Sequence, residues 1–572
     1  MKTGNLIFIL HTHLPWVLHH GTWPHGEDWL TEVIAECYIP LLNVFNDLLN
    51  ENILPKITID ISPVLCEQLE HNDTKEIFIN YCNKKIEAAK EDYQNFKKWG
   101  YSPHQIYLAK WWGNWYEERK NDYINKYNCS IINAFRELQD KGCIEIMTCG
   151  ATHGYSPLLG YDKSVNLQFK AAKENYKKYF GREPRGAWLP ECAYRPSYEW
   201  ASLVPVSPFN KKHLRRGIEQ ILAQNELFYF VTDEELLKRS SLIGVFTEPN
   251  KTNFKHILDP DFRPKISNLE RTPLKLYEVS SSEKTEYGTS IAFTRHHDIS
   301  MQVWSGSIGY PANPDYLDFH KTNYPSRLRY WRVTDSKTDM QYKTLYHPDW
   351  VMDKLDLQVN HFIHQIENSS NYFYNSTGEF STICLPFDTE LFGHWWFEGP
   401  EFLRLLCKGI SHSPWIDMAT ATEQIFKLKP TEVISLPEGS WGENNNHSVW
   451  FDAENGWTWT NIYDNELRLN NIIEKNNINK LTDIERRLLT QALRELMLLQ
   501  SSDWQFLIHT QSAKDYAEQR FFFHHSDFNR ICDMFEKFKE TNHLTKKQLL
   551  YLEETEKRNS IFQELKLEWW TE

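Results

Sequence analysis

His11 and His13 follow the apolar run Leu6 to Leu10, and alternation along an extended backbone puts both imidazoles on one side. Such a pair suits a metal ion. A metal-dependent hydrolase, for example a polysaccharide deacetylase using His11, His13 and His153, would recruit further ligands from Asp233, His296 and His297. Neutral rings that hydrogen-bond the hydroxyls of a sugar fit the same spacing, and so does a structural pair. Glu191 closes a second apolar run, Gly186 to Leu189, within Trp188-Leu-Pro-Glu191-Cys-Ala-Tyr194-Arg195-Pro196. A strand-end Glu beside an Arg is more often an ion-pair partner than a reactive group. Asp388 changes that weighing. It closes the run Ser381 to Leu385 and is bordered by Phe387, Phe392, Trp395 and Trp396, apolar surroundings that raise a carboxyl pKa toward proton donation. Two carboxylates among tryptophans are the equipment for cleaving a glycosidic bond.

These residues need a scaffold that brings strand ends together. Seven short apolar or β-branched runs read as strands: Leu6 to Leu10 before His11, Ile57 to Ile61 before Ser62, Cys143 to Thr148 before His153, Gly186 to Leu189 before Glu191, Phe228 to Val231 before Asp233, Ile291 to Phe293 before Arg295, and Ser381 to Leu385 before Asp388. Helical patterns intervene, such as Leu167 to Phe180 closed by Gly181. Alternating strands and helices predict an α/β fold with a parallel sheet closed into a barrel, whose chemistry gathers at the carboxyl ends of the strands. Residues 75 to about 135, long, charged and helical in period, with Trp111, Trp112, Trp115 and Tyr116, predict a helical insertion. The expected division is a catalytic domain over 1–400 and a mainly helical domain over 401–572. In the latter, Thr482 and Glu485 form a capping box for a helix with Ile484, Leu488, Leu489, Ala492, Leu493 and Leu496 on one face. The Asn- and Ser-rich stretch Asn368 to Ser376 reads as a surface loop.

Composition narrows the function. With 572 residues, 41% hydrophobic and 24% charged, the chain is globular and large enough for two or three domains. A formal charge of -14 repels phosphate backbones and anionic membranes, so neither nucleic acid nor a membrane is an expected partner. The longest early apolar run, Leu6 to Leu10, is too short for a membrane span and lacks a cleavage pattern, which predicts a cytoplasmic protein. Ten cysteines without paired CxxC spacing read as reduced core thiols. Core filling accounts for most of the 22 Trp, 28 Tyr and 32 Phe, but flat rings also stack on sugar faces, and Trp in polar, Gly-rich surroundings is the exception that points to such use.

Five motifs in order, HTHLP at 11–15, IEIMTCGATHGY at 144–155, WLPECAYRP at 188–196, QVWSGSIGYP at 302–311 and PFDTELFGHWWFEGP at 386–400, resemble glycoside hydrolase family 57, and more closely its α-1,4-glucan branching enzyme branch. PEGSWGENNNHSVW at 437–450 and SDWQFLIHTQSAKDYAEQR at 502–520 extend the resemblance into the last third. The resemblance implies a distorted (β/α)7 barrel with a helical insertion and a helical C-terminal domain. It implies Glu191 as nucleophile and Asp388 as general acid/base, with His11, His13, His153, Arg295, Trp441 and Asp503 around a bound glucan and Trp29, Trp304 and Trp450 along the grooves. It implies no metal and no cofactor, and an α-glucan as partner. The expected activity is cleavage of an α-1,4 linkage and transfer to a 6-hydroxyl, with α-amylase or 4-α-glucanotransferase as the alternatives. Two positions depart from the family pattern: His296-His297 stand where Asp-Pro is usual, and Ala312 where a glycine is usual, a methyl expected to alter a backbone contact to sugar. A loop tyrosine that covers the site in branching members is expected between Leu237 and Ser290.

Overall fold

The computed structural model describes residues 1–22, 25–245, 271–282, 288–335 and 337–572. Residues 246–270 and 283–287, most of the span expected to hold the loop tyrosine, lie outside the described residues. All seven runs form strands: β1 (Gly4–Thr12), β2 (Ile57–Ile61), β3 (Ile144–Cys149), β4 (Gly186–Trp188), β5 (Tyr229–Thr232), β6 (Ser290–Thr294) and β7 (Ser381–Asp388). They pair in the order β7-β1-β2-β3-β4-β5-β6, parallel at every step. The residue after β6 returns to the far end of this path, because Arg295 bridges Cys384 of β7 and the His296 N–H donates to the Cys384 carbonyl at 2.9 Å.

Alternation divides each strand between two environments. Leu6, Phe8 and Leu10 join the core packed under the surrounding helices, whereas Ile7 and Ile9 meet Met147, Cys149, Trp188, Val231, Phe293 and Cys384 on the inner face. Burial on both faces explains why these strands read as nearly continuous apolar runs. The sheet is mixed beyond β6: Tyr277–Val279 pairs antiparallel to it, then Glu432–Ser435 and Ser241–Val245 follow, while Ile416–Met418 pairs with the start of β1. Two of these strands lie after residue 401, so the sheet runs past the division drawn there. Among the described residues no helix is long and apolar enough to cross a membrane.

The expected insertion is a pair of long helices, α1 (Asn72–Lys98) and α2 (Pro103–Asn121). Trp111, Trp112 and Trp115 of α2 pack on Phe397 with ring centroids 5.6 to 5.9 Å apart, which braces the segment that follows Asp388. The helix after β3, α3 (Asp162–Phe180), ends on Gly181 at φ 68°. The Asn- and Ser-rich stretch is not a loop. Asn368 to Ser376 are the last turns of α4 (Met352–Thr377), capped by Gly378 at φ 75°. Their weak helix propensity is outweighed by tertiary contact: Ser370 is fully buried, its hydroxyl shared with Thr3 at 2.9 Å and Ser381 at 2.7 Å, and Phe373 is buried nearby. Small side chains let α4 approach the sheet at Gly4.

The last third holds α5 (Gly456–Lys475), α6 (Asp483–Leu499), α7 (Ser502–His509) and α8 (Lys514–Thr541). The Thr482 and Glu485 capping box opens α6, and Leu488, Leu489, Ala492, Leu493 and Leu496 are fully buried. This region closes onto the strand ends: the Ser502 N–H donates to the His153 carbonyl at 2.9 Å, and Thr152 Oγ1 donates to the Met497 carbonyl at 2.5 Å.

A Cβ at Gly4 would sit 1.9 Å from Ser381 Oγ and 2.6 Å from Ser370 Oγ. Gly4→Val is therefore expected to destabilise the chain by about 1 to 3 kcal/mol through overpacking, read as a lower thermal midpoint. An unchanged midpoint would mean that α4 and the sheet are not in close contact there.

Candidate active site

The register of β1 sets the first row of the site. His11 is the register partner of Asp60 on β2 and of Asp388 on β7, so the three side chains emerge side by side on the inner face. His13, two residues on, bonds Ser62 Oγ through Nδ1 at 2.8 Å and donates through Nε2 to Asp503 Oδ2 at 2.9 Å. His11 Nδ1 bonds Asp60 Oδ2 at 2.5 Å and its Nε2 bonds His153 Nε2 at 3.0 Å, while His153 Nδ1 reaches Ser502 Oγ at 2.8 Å. The rings are layered, His13 on His153 at 3.9 Å and His11 on Trp188 at 4.6 Å between centroids.

Glu191 follows β4 in a turn where it adopts φ 63°, ψ 24°, and Cys192 follows at φ 48°. The Glu191 carbonyl accepts from the Trp441 N–H at 3.1 Å, and its carboxylate accepts from Ser502 Oγ at 2.8 Å and from the Trp441 indole Nε1–H at 3.1 Å. Arg195 is not its partner, since that guanidinium is buried against Asp162. Burial pushes the Glu191 carboxyl up to about 7 against these two donors. Burial, with the carboxylates of Glu390 and Glu191 nearby, holds Asp388 well above the usual carboxylate range. Burial would also raise Asp503, but the His13 imidazole and its hydrogen bond outweigh that and hold it at about 2. Burial keeps His11 and His153 well below the ordinary imidazole value, reinforced at His11 by His153 and His13 and at His153 by His13 against the opposing Asp503 carboxylate.

Glu191 and Asp388 face one cavity of about 1120 Å³. Its lining includes His11, His13, Trp29, His153, Arg295, Trp304, Trp441, Trp450 and Asp503, so the structure gathers almost every residue expected at the site. Arg295 is fixed by Asp233 at 2.7 Å, and Trp304 packs edge-on to Trp441 with its Nε1–H on the Pro386 carbonyl at 3.2 Å. Ala312 is placed elsewhere: it ends the short turn Tyr310–Ala312 and does not line the cavity. Trp450 borders the cavity but is only 1% exposed, stacked on Tyr155 at 4.7 Å. His296, bonded to Ser369, and the exposed His297 also lie outside it. His11, Cys149 and His153, or His13, His153 and Asp503, are close enough to share an ion. The ring nitrogens of the three histidines are instead engaged in the hydrogen bonds above.

Several contributors were not singled out from sequence. Asp60 is the clearest: an aspartate inside the run Ile57 to Ile61, on a strand buried on both faces, is itself a signal of special use. Glu390 accepts from Tyr38 at 2.8 Å and burial raises it to about 7. On the cavity wall toward the insertion, Glu36 pairs with Arg329 at 3.0 Å and His394 at 2.8 Å, beside Glu32 and Lys85. These partners come from segments hundreds of residues apart, so no spacing in the sequence announces them.

Paired carboxylates at the carboxyl ends of parallel strands, inside an aromatic cavity, define an α/β enzyme of the kind that acts on glycosidic bonds. The sequence profile of glycosyl hydrolase family 57 matches residues 7–437, and that of the C-terminal domain of 1,4-alpha-glucan branching enzyme matches residues 461–570. The chain belongs to glycosyl hydrolase family 57. It is 36% identical over 562 residues to a 1,4-alpha-glucan branching enzyme of Thermococcus kodakarensis, covering 98% of this chain and 77% of the relative. Its structure resembles that of the family 57 branching enzyme of Pyrococcus horikoshii, with a TM-score of 0.87, 33% identity and 100% and 97% of the two chains covered. The α-amylase AmyC of Thermotoga maritima follows at 0.80, with 28% identity and 100% and 99% covered.

The free enzyme is expected to lose kcat/KM as pH falls below about 7, where Glu191 takes up a proton. Hydrogen bonds to a carboxylate lower its pKa, so Ser502→Ala should move this acidic limb upward by about one unit. A limb that stays in place would show that Ser502 does not serve the ionised form.

Proposed function

We propose that this chain is a retaining 1,4-α-glucan branching enzyme in which Glu191 is the nucleophile and Asp388 the general acid/base. The observation that carries the assignment of roles is their contrast in environment. Glu191 accepts two hydrogen bonds that favour its ionised form, whereas Asp388, with no side-chain hydrogen bond among the described residues and two carboxylates beside it, is kept protonated. Glu191 attacks the anomeric carbon while Asp388 protonates the departing glycosidic oxygen, leaving a glycosyl ester on Glu191. Asp388, now a carboxylate, takes the proton from a glucan 6-hydroxyl, whose oxygen displaces Glu191 and forms an α-1,6 branch with retained configuration.

The other contributions follow from placement. His11, His13 and His153 line the cavity as layered rings whose nitrogens are held by Asp60, Ser62, Asp503, Ser502 and one another, so they offer a bound sugar ring surface, while Arg295 and Asp503 add charged groups to the lining. Trp29, Trp304 and Trp441 offer stacking surfaces along the groove. Trp441 has a second task, because its indole N–H is bonded to Glu191. In this reading the seven parallel strands form a distorted (β/α)7 barrel, a description supported by the contact between Arg295 and Cys384 that joins β6 to β7. The helices of residues 75–135 are an insertion in it. The mainly helical domain then begins between Ser435, the last residue of the sheet, and Gly456, not at 401. A cytoplasmic site of action fits the ten cysteines, all free thiols. The substrate is an α-glucan and no cofactor enters the reaction.

Transfer requires an acceptor hydroxyl held above the effective concentration of water, which the groove supplies by orientation. Incubation with amylose is expected to lower iodine staining with little rise in reducing ends, and debranching should then release short linear chains. Reducing ends that rise with the loss of staining would make the protein an amylase, and reshuffled chain lengths without debranchable product a 4-α-glucanotransferase. Glu191→Gln should cost about 1000-fold or more in turnover, ~4 kcal/mol, with glucan affinity kept. Retention of more than about a tenth of turnover would remove Glu191 from the role.

A further inference from the structure

Five groups form an unbroken hydrogen-bonded chain that leads from the inner wall to the nucleophile: Asp60 Oδ2 to His11 Nδ1 at 2.5 Å, His11 Nε2 to His153 Nε2 at 3.0 Å, His153 Nδ1 to Ser502 Oγ at 2.8 Å, and Ser502 Oγ to Glu191 Oε1 at 2.8 Å. Each link needs one proton between its two atoms, since two lone pairs at these distances repel. Four links need four protons. Two ionised carboxylates, two neutral imidazoles and one hydroxyl bring only three, so the chain holds one more, and where it sits fixes the direction of every bond.

If the extra proton sat on Glu191, that residue would donate to Ser502, Ser502 to His153, His153 to His11, and His11 Nδ1–H to an ionised Asp60. The nucleophile would then be an unreactive acid. If it sits on Asp60, every bond reverses: Asp60 donates to His11 Nδ1, His11 Nε2–H to His153, His153 Nδ1–H to Ser502, and Ser502 to an ionised Glu191. The net charge is the same in both arrangements. We propose that Asp60 is a positioning residue that stays a neutral carboxylic acid and, as the donor at the head of this chain, keeps Glu191 ionised and aimed.

The two ends of the chain differ as this requires. Glu191 has the Trp441 indole N–H as a second donor and is 14% exposed at its side chain. Asp60 is fully buried, and its Oδ1 has no hydrogen-bond partner among the described residues, so a charge there would go unsupported. The groups facing the chain agree: Glu390, with the thiols of Cys66 and Cys149, lies toward Asp60, and burial together with Glu390 holds Asp60 well above the usual carboxylate range. His13, Asp503, Asp388 and Cys192 lie toward the other end. Burial keeps both imidazoles of the chain from holding the extra proton as a cation.

The proposal rests on Glu191 as nucleophile, and two readouts separate the two ideas. The first is the 15N spectrum of histidine-labelled resting enzyme at about pH 8, above the Glu191 value of about 7, with His11 and His153 assigned from the His11→Gln and His153→Gln variants. His11 is expected to be protonated at Nε2 alone and His153 at Nδ1 alone, in the wild type and in Asp60→Asn, whose amide N–H donates in the same direction. His11 protonated at Nδ1, or His153 protonated at both nitrogens, overturns the proposal. The second is the rate of glycosyl-enzyme formation from an activated donor that needs no protonation by Asp388. Asp60→Asn should stay within about threefold of wild type, while Asp60→Leu, checked for folding by its melting curve, should lose on the order of 100-fold in rate with little change in KM. An Asp60→Asn variant as impaired as Asp60→Leu would mean that Asp60 works as a carboxylate. Loss of the glycosyl-enzyme is read against Glu191→Gln: if that variant still turns over, the nucleophile assignment fails, whereas the spectra judge the chain alone.

Discussion

Register partners in a parallel pair present their side chains to the same face, and β1 is in register with strands on both sides. That single constraint stands Asp60, His11 and Asp388 in one row. A slip of one residue in either pairing would turn a carboxylate out of the inner face and leave His11 without its partner. The uninterrupted burial of β1 and the close approach of α4 at Gly4 are what forbid the slip. Chemistry at one end of the strand is thus tied to packing at the other.

The second contribution comes from the far end of the chain. Ser502 and Asp503 open α7, and backbone contacts at His153 and Gly154 seat them over the strand ends. One supplies a donor to Glu191 and the other the carboxylate that accepts from His13. The helical third is therefore part of the site and cannot be viewed as an attachment to a finished one. The helices α1 and α2 have a parallel part, since Lys85 of α1 lines the cavity with Glu32 and Glu36 and the rings of α2 pack on Phe397 in the segment after Asp388. Three regions of the sequence meet in one cavity.

Much of this was legible before the structure. Runs such as Leu6 to Leu10 betray buried parallel strands because both faces are apolar, and ionisable residues at their ends have few other reasons to be there. The Thr482 capping box was legible because its bonds are local. What escaped were properties set by distant partners. Asn368 to Ser376 looked like a loop by composition, yet small polar side chains are what lets α4 lie against Gly4 and Ser381. Trp450 looked like a groove residue, but its ring is taken up by Tyr155. Trp441 was expected beside a bound glucan, and its bond to Glu191 depends on a loop that returns 250 positions later. The Glu36, Arg329 and His394 cluster has no local pattern at all.

The backbone at Glu191 has a consequence of its own. Two successive residues, Glu191 and Cys192, hold left-handed conformations that disfavour any side chain, at a cost on the order of 1 to 2 kcal/mol each. The turn is held by the Trp441 N–H on the Glu191 carbonyl and the Cys192 N–H on the Leu189 carbonyl. In the proposed role Glu191 is aimed in advance, its main chain fixed by the turn and its carboxylate by Ser502 and Trp441, with little rotamer freedom left to lose when a sugar arrives. The entropy of aiming has been spent in folding, so the site is preorganised: a floppy polymer such as a glucan is ordered against a carboxylate that is already still.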